Sequence, residues 1–280
     1  MPLLKTMPSL KTMPLLKILT FGLLTSSLVL GPAASVARSD EKAGEASPHV
    51  VEVRTILLDD QSDRAAIDRF LRDALIPALR RHQTGPVGVF SPAEQDETGV
   101  DAVFVVIPYP SLAHFGELKQ ALDSDKQFAK DAADFLSRDA KSPAYRRIRS
   151  ELLGAMDCWP ETIVRKDVTK NPDRVFELRV YESANRRLGD LKVDMFNAGE
   201  VPIFLDCDIS PVFIGQCLVG PQMPNLTYLT VYANDEARQQ AWKDFLSHPD
   251  WKQLRKNSRY AGTVSRIDKF VLKAKPYSQM

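Results

Sequence analysis

The sequence FELRVY at residues 176–181 repeats, in altered form, the sequence VEVRTI at residues 51–56. The two hexapeptides lie 125 residues apart, so Glu52 and Arg54 correspond to Glu177 and Arg179. Two pairs of prolines keep the same offset, Pro77 with Pro202 and Pro86 with Pro211. Four landmarks in one register indicate that the chain contains two copies of one unit.

The later parts of the two copies align after changes in the offset. Three pairs of segments match: DAVFVVIPY (101–109) with NLTYLTVYA (225–233) and FGELKQAL (115–122) with QQAWKDFL (239–246) at an offset of 124, and SPAYRRIR (142–149) with HPDWKQLR (248–255) at an offset of 106. The first copy therefore holds an insert near residues 125–141. Apolar residues recur there at helical spacing, and we expect one extra short helix.

Each copy has the pattern strand, helix, strand, strand, helix, strand, which is the ferredoxin-like βαββαβ unit. The antiparallel sheet of such a unit has both helices on one face and leaves the other face open. Two of these sheets packed face to face bury both open faces, as a homodimer of a half-length protein would. The predicted fold class is α+β: two tandem ferredoxin-like (βαββαβ) units forming an intrachain pseudo-dimeric α/β barrel.

The N-terminal sequence predicts export. Three lysines precede the apolar run ILTFGLLTSSLVL (18–30), and the small residues GPAASVA follow it, a pattern typical of a secretory signal peptide that ends at Ala37. We therefore expect a bacterial-type exported protein, periplasmic or secreted after cleavage. The predicted segments are a signal peptide 1–37, a disordered lead 38–48, a first domain 49–166 with the helical insert near 125–141, a linker 167–172 and a second domain 173–276.

Composition excludes several classes of protein. Without residues 1–37 the chain keeps 34 basic and 36 acidic side chains and no basic cluster dense enough for nucleic acid. Its three cysteines form no Cys-x-x-Cys pair and its four histidines are scattered, so we expect no metal. The sequence permits a disulfide between Cys207 and Cys217 but does not require one. The sequence has no glycine-rich phosphate loop and no hydrolase elbow, and we expect no cofactor.

The second copy resembles a NIPSNAP domain over about residues 173–276. The resemblance rests on FELRVYE in the first strand, LTYLTVYANDEARQQAW in the third strand and second helix, and FLSHPDWKQLRK after it. The first copy departs from this pattern, since Tyr145 stands in place of Trp251 and Val53 in place of Leu178. We interpret it as a diverged NIPSNAP-like repeat.

The resemblance marks Arg238, Pro249 and Trp251 as family-motif residues with structural roles. Pro249 cannot continue a helix but suits a first helical turn, so we expect a break with His248 or Ser247 as the cap. We expect Arg238 to neutralise Asp235 or Glu236. The bend should let Trp242 and Trp251 contact the domain from two segments.

Strand alternation gives the candidate site. In VFELRVYE, we expect Phe176, Leu178 and Val180 to pack on the helices and the alternate residues to face the barrel lumen. With the equivalent positions of the first copy and two phenols of the third strand, the candidate lumen or binding residues are Glu52, Arg54, Glu177, Arg179, Tyr181, Tyr228 and Tyr232.

Two interpretations of these residues stay open. An arginine in the lumen can hold a carboxylate or phosphate, with a glutamate as acid or base. Alternatively, Glu177 and Arg179 pair with Arg54 and Glu52 across the pseudo-twofold axis and fix how the halves dock.

The predicted function is an exported, non-catalytic NIPSNAP-type barrel that binds a small polar or anionic molecule or a protein partner. This prediction follows from the resemblance, because the family has no settled catalytic activity. The alternatives are a cofactor-independent α/β-barrel enzyme acting on a small organic anion, and a structural or assembly protein, which includes a homo-oligomer. Fold alone does not choose among them. We expect no nucleic-acid partner and no membrane contact after signal cleavage.

Overall fold

The computed structural model describes residues 49–280, so the predicted signal peptide (1–37) and lead (38–48) lie outside the described residues. The first half consists of β1 (Val50–Leu57), α1 (Arg64–Arg69), α2 (Ile76–Arg81), β2 (Gly88–Pro92), β3 (Ala102–Tyr109), α3 (Leu112–Ser124), α4 (Lys126–Asp131), α5 (Ala133–Leu136) and β4 (Arg147–Ala155). The second half consists of α6 (Lys166–Thr169), β5 (Val175–Glu182), α7 (Arg186–Met195), α8 (Val201–Asp206), β6 (Ser210–Val219), β7 (Asn225–Tyr232), α9 (Asp235–Ser247), α10 (Pro249–Leu254) and β8 (Arg266–Ala274).

The eight strands close into one antiparallel barrel in the order β1-β3-β2-β8-β5-β7-β6-β4. Each half contributes a four-stranded sheet with the ferredoxin-like order, β4-β1-β3-β2 and β8-β5-β7-β6. The sheets join where Phe90 pairs with Ala274 and where Leu153 pairs with Cys217. The predicted fold class is therefore confirmed.

The lumen of the barrel is filled by apolar side chains from all eight strands. Its members include Val51, Val53, Phe90, Phe104, Val106, Leu153, Phe176, Leu178, Phe213, Leu229 and Leu272. Two further apolar clusters lie outside the barrel wall, one beneath the helices of each half. Most strand residues are thus buried on both faces of the sheet, and the exposed strand residues lie towards the ends of β4, β6 and β8.

The first long helix of each half is interrupted by a short π segment, and in the second half this segment contains a kink at Gly199, whose φ of 170° is extended. Phe70–Leu75 joins α1 to α2, and Phe196–Glu200 joins α7 to α8. The two π turns end 125 residues apart, and Pro77 and Pro202 follow at the same relative position. The offset found in the sequence therefore holds from the π segments through α2 and α8, whereas the helix caps Asp63 and Asn185 lie 122 residues apart.

The third strands of the two halves, β3 and β7, correspond at a different offset from the one that the sequence alignment gave. Glu52 lies opposite Ile107, whereas Glu177 lies opposite Thr230, so the true offset between β3 and β7 is 123 and not 124. The caps of α3 and α9, Ser111 and Asn234, keep this offset of 123. Because side chains alternate along a strand, a slip of one residue assigns every residue to the wrong face.

Three segments differ from their predictions. The insert contains two short helices, α4 and α5, rather than one, and its Phe135 stacks on Phe70 at 4.1 Å. The segment predicted as a linker carries one turn of helix, α6. The chain beyond residue 276 returns to the first half, where the Tyr277 hydroxyl donates to Asp68 and Met280 is buried in the lumen.

Candidate functional site

The predicted lumen residues do not face the lumen. Phe176 and Leu178 point inward with the apolar core, and Val180 lies near the barrel mouth, whereas Tyr181 and Tyr228 belong to the cluster beneath the helices. The predicted faces were therefore inverted. Alternation shows which residues share a face, but when both faces are buried it does not show which face is inside.

The lumen offers little room for a ligand. A pocket of about 90 Å³ lies at the barrel mouth, between Phe104, Glu151, Leu178 and Phe270. The ion pairs predicted to dock the halves across the lumen are also absent from the described residues, since each Glu-x-Arg pair forms within its own half. The docking interpretation is therefore wrong, and the anion-binding interpretation is wrong in placing the arginine in the lumen.

In the first half, Glu52 is fully satisfied. Its carboxylate accepts hydrogen bonds from Arg54 Nε at 2.6 Å and Nη2 at 2.8 Å, a bidentate pair. Tyr109 Oη donates to it at 2.7 Å, and the Ser150 hydroxyl donates as well. Burial raises the pKa of Glu52, but the Arg54 hydrogen bonds and charge more than offset this, so the net pKa is lowered.

In the second half, Glu177 has different partners. Its Oε2 accepts hydrogen bonds from Arg238 Nη1 at 2.8 Å and from Trp242 Nε1 at 2.9 Å. Arg238 also donates to Asp235 at 2.8 Å, as its position in the sequence predicted. The guanidinium of Arg179 therefore lies farther from the carboxylate, with Nη1 at 3.6 Å from Glu177 Oε1.

The guanidinium of Arg179 makes no hydrogen bond with any residue in the range 49–280, and its buried Nε has no partner. It lies 4.0 Å from the centre of the Trp242 ring and 5.4 Å from that of Tyr181, both cation–π distances. Its side chain keeps 12% exposure. The second half thus holds a fixed arginine whose hydrogen-bonding capacity is mostly unused.

Phenols surround this arginine. Tyr228 Oη donates to Tyr181 Oη at 2.9 Å, while the buried Tyr232 Oη makes no hydrogen bond to the described part of the chain. Burial raises the pKa of Tyr181 to about 12 and the pKa of Tyr228 well above its usual value. Both hydroxyls are therefore protonated at neutral pH, and the Tyr181 hydroxyl, which accepts from Tyr228, is available as a donor.

The difference between the halves follows from the corrected register. Tyr109, which bonds Glu52, is the counterpart of Tyr232, and Phe115 is the counterpart of Arg238. Lys119, an exposed residue, stands in place of Trp242. Two donors to the glutamate in the second half are thus absent from the first, where the arginine of the strand supplies them instead.

Sequence reasoning missed a buried ion pair in the second half. Lys192 Nζ lies 2.7 Å from Glu200 Oε2, and the two side chains are only 4% and 1% exposed. At the 125-residue offset, their counterparts in the first half are Ile67 and Leu75, both buried. The offset at the paired prolines contained this signal, since it places two charged residues on core positions.

The remaining motif residues, Pro249 and Trp251, have structural roles. Pro249 opens α10, with His248 as the cap whose Nδ1 accepts from the Asp250 amide at 3.3 Å. Trp251 packs on Phe245, with ring centres 4.4 Å apart. The predicted helix break and its cap are therefore confirmed.

The described residues contain neither a disulfide nor a metal-ligand cluster. Cys158, Cys207 and Cys217 are free thiols, and within residues 49–280 no three His, Cys, Asp or Glu side chains converge as metal ligands would. In the same range no helix is long and apolar enough to cross a membrane.

Comparison with known proteins supports both the fold and the family motif. Residues 176–279 match the model of the NIPSNAP family. The barrel resembles a crystal structure of a "putative monooxygenase" from Fusobacterium nucleatum subsp. nucleatum, with 8% identity, coverage of 82% of this chain and 94% of that chain, and a TM-score of 0.52. At such low identity the likeness concerns the fold alone.

Smaller structures match about one half of the barrel. An uncharacterized NIPSNAP-like domain protein from Burkholderia xenovorans is 17% identical over 39% of this chain and 91% of its own, with a TM-score of 0.35. A NIPSNAP family protein from Agrobacterium tumefaciens is 11% identical over 38% of this chain and 98% of its own, with a TM-score of 0.35. No curated protein matched the chain. Residues 176–279, in the second half, are similar to the NIPSNAP family, and this half joins a first half of the same topology in one dimeric-type α/β barrel.

Proposed function

We propose that the NIPSNAP half binds a small organic anion, with a carboxylate held by Arg179 between β5 and the helices. The observation that carries this proposal is the unused guanidinium. Glu177 takes its hydrogen bonds from Arg238 and Trp242, which leaves Arg179 charged, largely buried and without a hydrogen-bonded partner among residues 49–280.

The physical argument is the cost of an unsatisfied buried donor, about 1–3 kcal/mol and more for a charged group. A carboxylate that reaches the guanidinium would form two parallel charge-assisted hydrogen bonds and recover that cost. The Trp242 ring beneath the guanidinium holds its plane in place, so little side-chain freedom is lost on binding.

The lining favours a ligand rich in acceptor oxygens that carries an aromatic or other apolar part. The other unpartnered buried atoms of the adjacent cluster are the Tyr232 hydroxyl and the indole N–H groups of Trp159 and Trp251, which are all able to donate. The surrounding rings are Tyr181, Phe196, Tyr228 and Trp242.

The test is thermal unfolding with benzoate and phenylpyruvate as probes. A carboxylate present at a hundredfold its dissociation constant should stabilise the wild type by about 2.7 kcal/mol. Arg179→Leu should abolish this stabilisation. The matched control is Arg54→Leu, which removes the equivalent arginine of the first half and should leave the stabilisation intact.

A wild type that neither probe stabilises would contradict the proposal. Stabilisation that survives in Arg179→Leu would contradict it equally, because the carboxylate would then bind elsewhere. The further proposal of export rests on residues 1–37, and the N-terminal sequence of the secreted or periplasmic protein tests it, with Arg38 expected as the first residue.

A further inference from the structure

The last strand of the first half, β4, extends beyond one of its two neighbours. It pairs with β1 from Arg147 to Gly154, but its pairing with β6 begins only at Leu152, opposite Val219, where β6 ends. Residues 147–151, here called the β4 edge, therefore have a neighbouring strand on one side only among residues 49–280. Such an edge presents backbone N–H and C=O groups that another strand can pair with.

The β4 edge carries positive charge that no described carboxylate neutralises. Arg146, Arg147 and Arg149 are all exposed. Within the range 49–280, the one hydrogen bond that their guanidinium groups form runs from Arg147 Nη1 to the Arg146 carbonyl oxygen, at 2.8 Å. The three arginines are thus available to a partner of opposite charge.

The second half offers an internal comparison. Residues 147–149 (Arg-Ile-Arg) correspond to residues 266–268 (Arg-Ile-Asp), since both segments pair with the end of the first strand of their half. In the second half, Arg266 Nε donates to Asp268 at 2.8 Å, so the two charges cancel. The first half has Arg149 in place of Asp268, and the same three positions carry two positive charges.

A cleft with apolar walls adjoins the β4 edge. It has a volume of about 540 Å³, and its walls include Phe135 and Leu136 of α5 together with Tyr145 and Ile148. Leu136 and Ile148 are 60% and 44% exposed, which is high for large apolar residues. Because α5 belongs to the insert that the second copy lacks, this cleft is specific to the first half.

Protection of the edge alone does not account for this surface. Charged side chains on an edge strand hinder unwanted pairing, and the arginines could act in that way. Exposed apolar residues beside the edge have the opposite effect, so Leu136 and Ile148 do not suit a purely protective role. An unpaired edge, unneutralised charge and an apolar cleft are together typical of strand addition, in which backbone hydrogen bonds give affinity and alternate side chains give specificity.

We infer that the β4 edge binds an extended acidic segment of a partner protein, which adds as a strand in line with β6 beyond Val219. Side chains alternate along a strand, so Arg147 and Arg149 share one face and Ile148 lies on the other. The partner segment therefore carries acidic residues opposite the arginines and apolar residues, directed to the cleft, at the positions between them. This inference is independent of the anion site proposed at Arg179.

The experiment is fluorescence anisotropy of the full chain with a labelled peptide in which Glu and Val alternate. At low ionic strength this peptide should bind at least about tenfold more tightly than a peptide of the same composition with its Glu and Val residues in two blocks, a difference of about 1.4 kcal/mol. The alternating peptide with every backbone nitrogen methylated keeps its charge but cannot pair with a strand, and it should not bind.

Two variants with equal changes in charge locate the site. Arg149→Asp copies the residue of the second half and should weaken binding of the alternating peptide by about tenfold, because one attraction becomes a repulsion. The matched control, Arg266→Asp, alters the equivalent edge of β8 and should leave the affinity unchanged. Bound peptide should also slow hydrogen exchange in residues 147–151 and not in residues 266–269.

Three results would overturn the inference. The first is equal binding of the methylated and unmethylated peptides, which would show attraction by charge without strand pairing; it needs only the wild type and so does not depend on the folding of a variant. The second is equal weakening by Arg149→Asp and Arg266→Asp. The third is binding to vesicles of phosphatidylcholine and phosphatidylglycerol with none to the alternating peptide, which would identify the basic surface as a membrane contact.

Discussion

The two halves of the barrel place the same Glu-x-Arg strand beneath similar helices and satisfy its charges in opposite ways. In the first half, Arg54 is the main partner of Glu52 and closes the network. In the second half, Arg238 and Trp242 donate hydrogen bonds to Glu177, and Arg179 is left without a hydrogen bond to the described residues. The Glu-x-Arg motif is the same in both halves, but the residues around it determine whether the arginine is hydrogen-bonded to the glutamate.

The comparison extends to the helices, where a buried Lys192–Glu200 pair faces an apolar Ile67–Leu75 pair at equivalent positions. In both comparisons the second half has the buried charged group that the first half either pairs by hydrogen bonds or replaces by an apolar residue. The first half has features of a scaffold, whereas the second concentrates polar groups that the fold does not need. A duplicated barrel can retain chemistry in one half because the other half supplies the sheet against which it packs.

Removing the glutamate should have the largest effect on stability, and more so in the second half. Glu177→Leu leaves Arg238 and Trp242 without their hydrogen-bonded partner, removes the carboxylate nearest to Arg179, and should lower the free energy of unfolding by about 3–5 kcal/mol. Glu52→Leu should cost about 2 kcal/mol, because the Arg54 side chain is 29% exposed and can be hydrated. Urea denaturation of both variants measures the difference, and equal costs would show that the two networks are equally closed.

The aromatic residue after the helix break should have the next largest effect. Trp251→Ala should cost about 3 kcal/mol, since the ring packs on Phe245 and is half-buried. Its first-half counterpart, Tyr145→Ala, should cost about 2 kcal/mol. Pro249→Ala, which opens the same helix, should change stability by at most about 1 kcal/mol. A small effect of Trp251→Ala in urea denaturation would indicate that the indole is free for a partner.

Replacing the arginines should separate the halves most clearly. Arg54→Leu takes two hydrogen bonds from Glu52 and should cost about 2–3 kcal/mol. Arg179→Leu leaves Glu177 bonded to Arg238 and Trp242 and should cost less than about 1 kcal/mol without ligand. A cost for Arg179→Leu as large as that for Arg54→Leu would break the comparison, because Arg179 would then be a structural partner of Glu177.

The pH dependence of stability should differ in sign between the two halves. The pKa of Glu52 is lowered in the folded state, so its contribution is present above about pH 4.5 and is lost as the pH falls through the folded value. The advantage of the wild type over Glu52→Gln should therefore shrink on acidification. Burial raises the pKa of Glu200, so the wild type should gain stability relative to Lys192→Ile/Glu200→Leu over the same range.

Each effect should amount to about 1.4 kcal/mol for one unit of pKa difference. Urea denaturation of the three proteins between pH 7 and 4 measures it. Parallel curves would show that neither carboxyl group is linked to folding as the structure indicates.

The sequence by itself determined the duplication, the element order and the broken helix. These features depend on local chemistry: the repeated Glu-x-Arg strand, the paired prolines, and a proline that suits only a first helical turn. From them the barrel followed, because two half-covered sheets have one efficient way to bury their open faces.

Only the tertiary structure decided which face of the strands is the lumen and which groups meet there. Both faces are buried, so alternation identified the face shared by Glu177, Arg179 and Tyr181 but not its direction. A one-residue error at β7 then concealed the correspondence of Tyr232 with Tyr109. The contacts that leave Arg179 open and bury Lys192 join separate elements, and such contacts depend on packing in three dimensions and not on the spacing of residues along the chain.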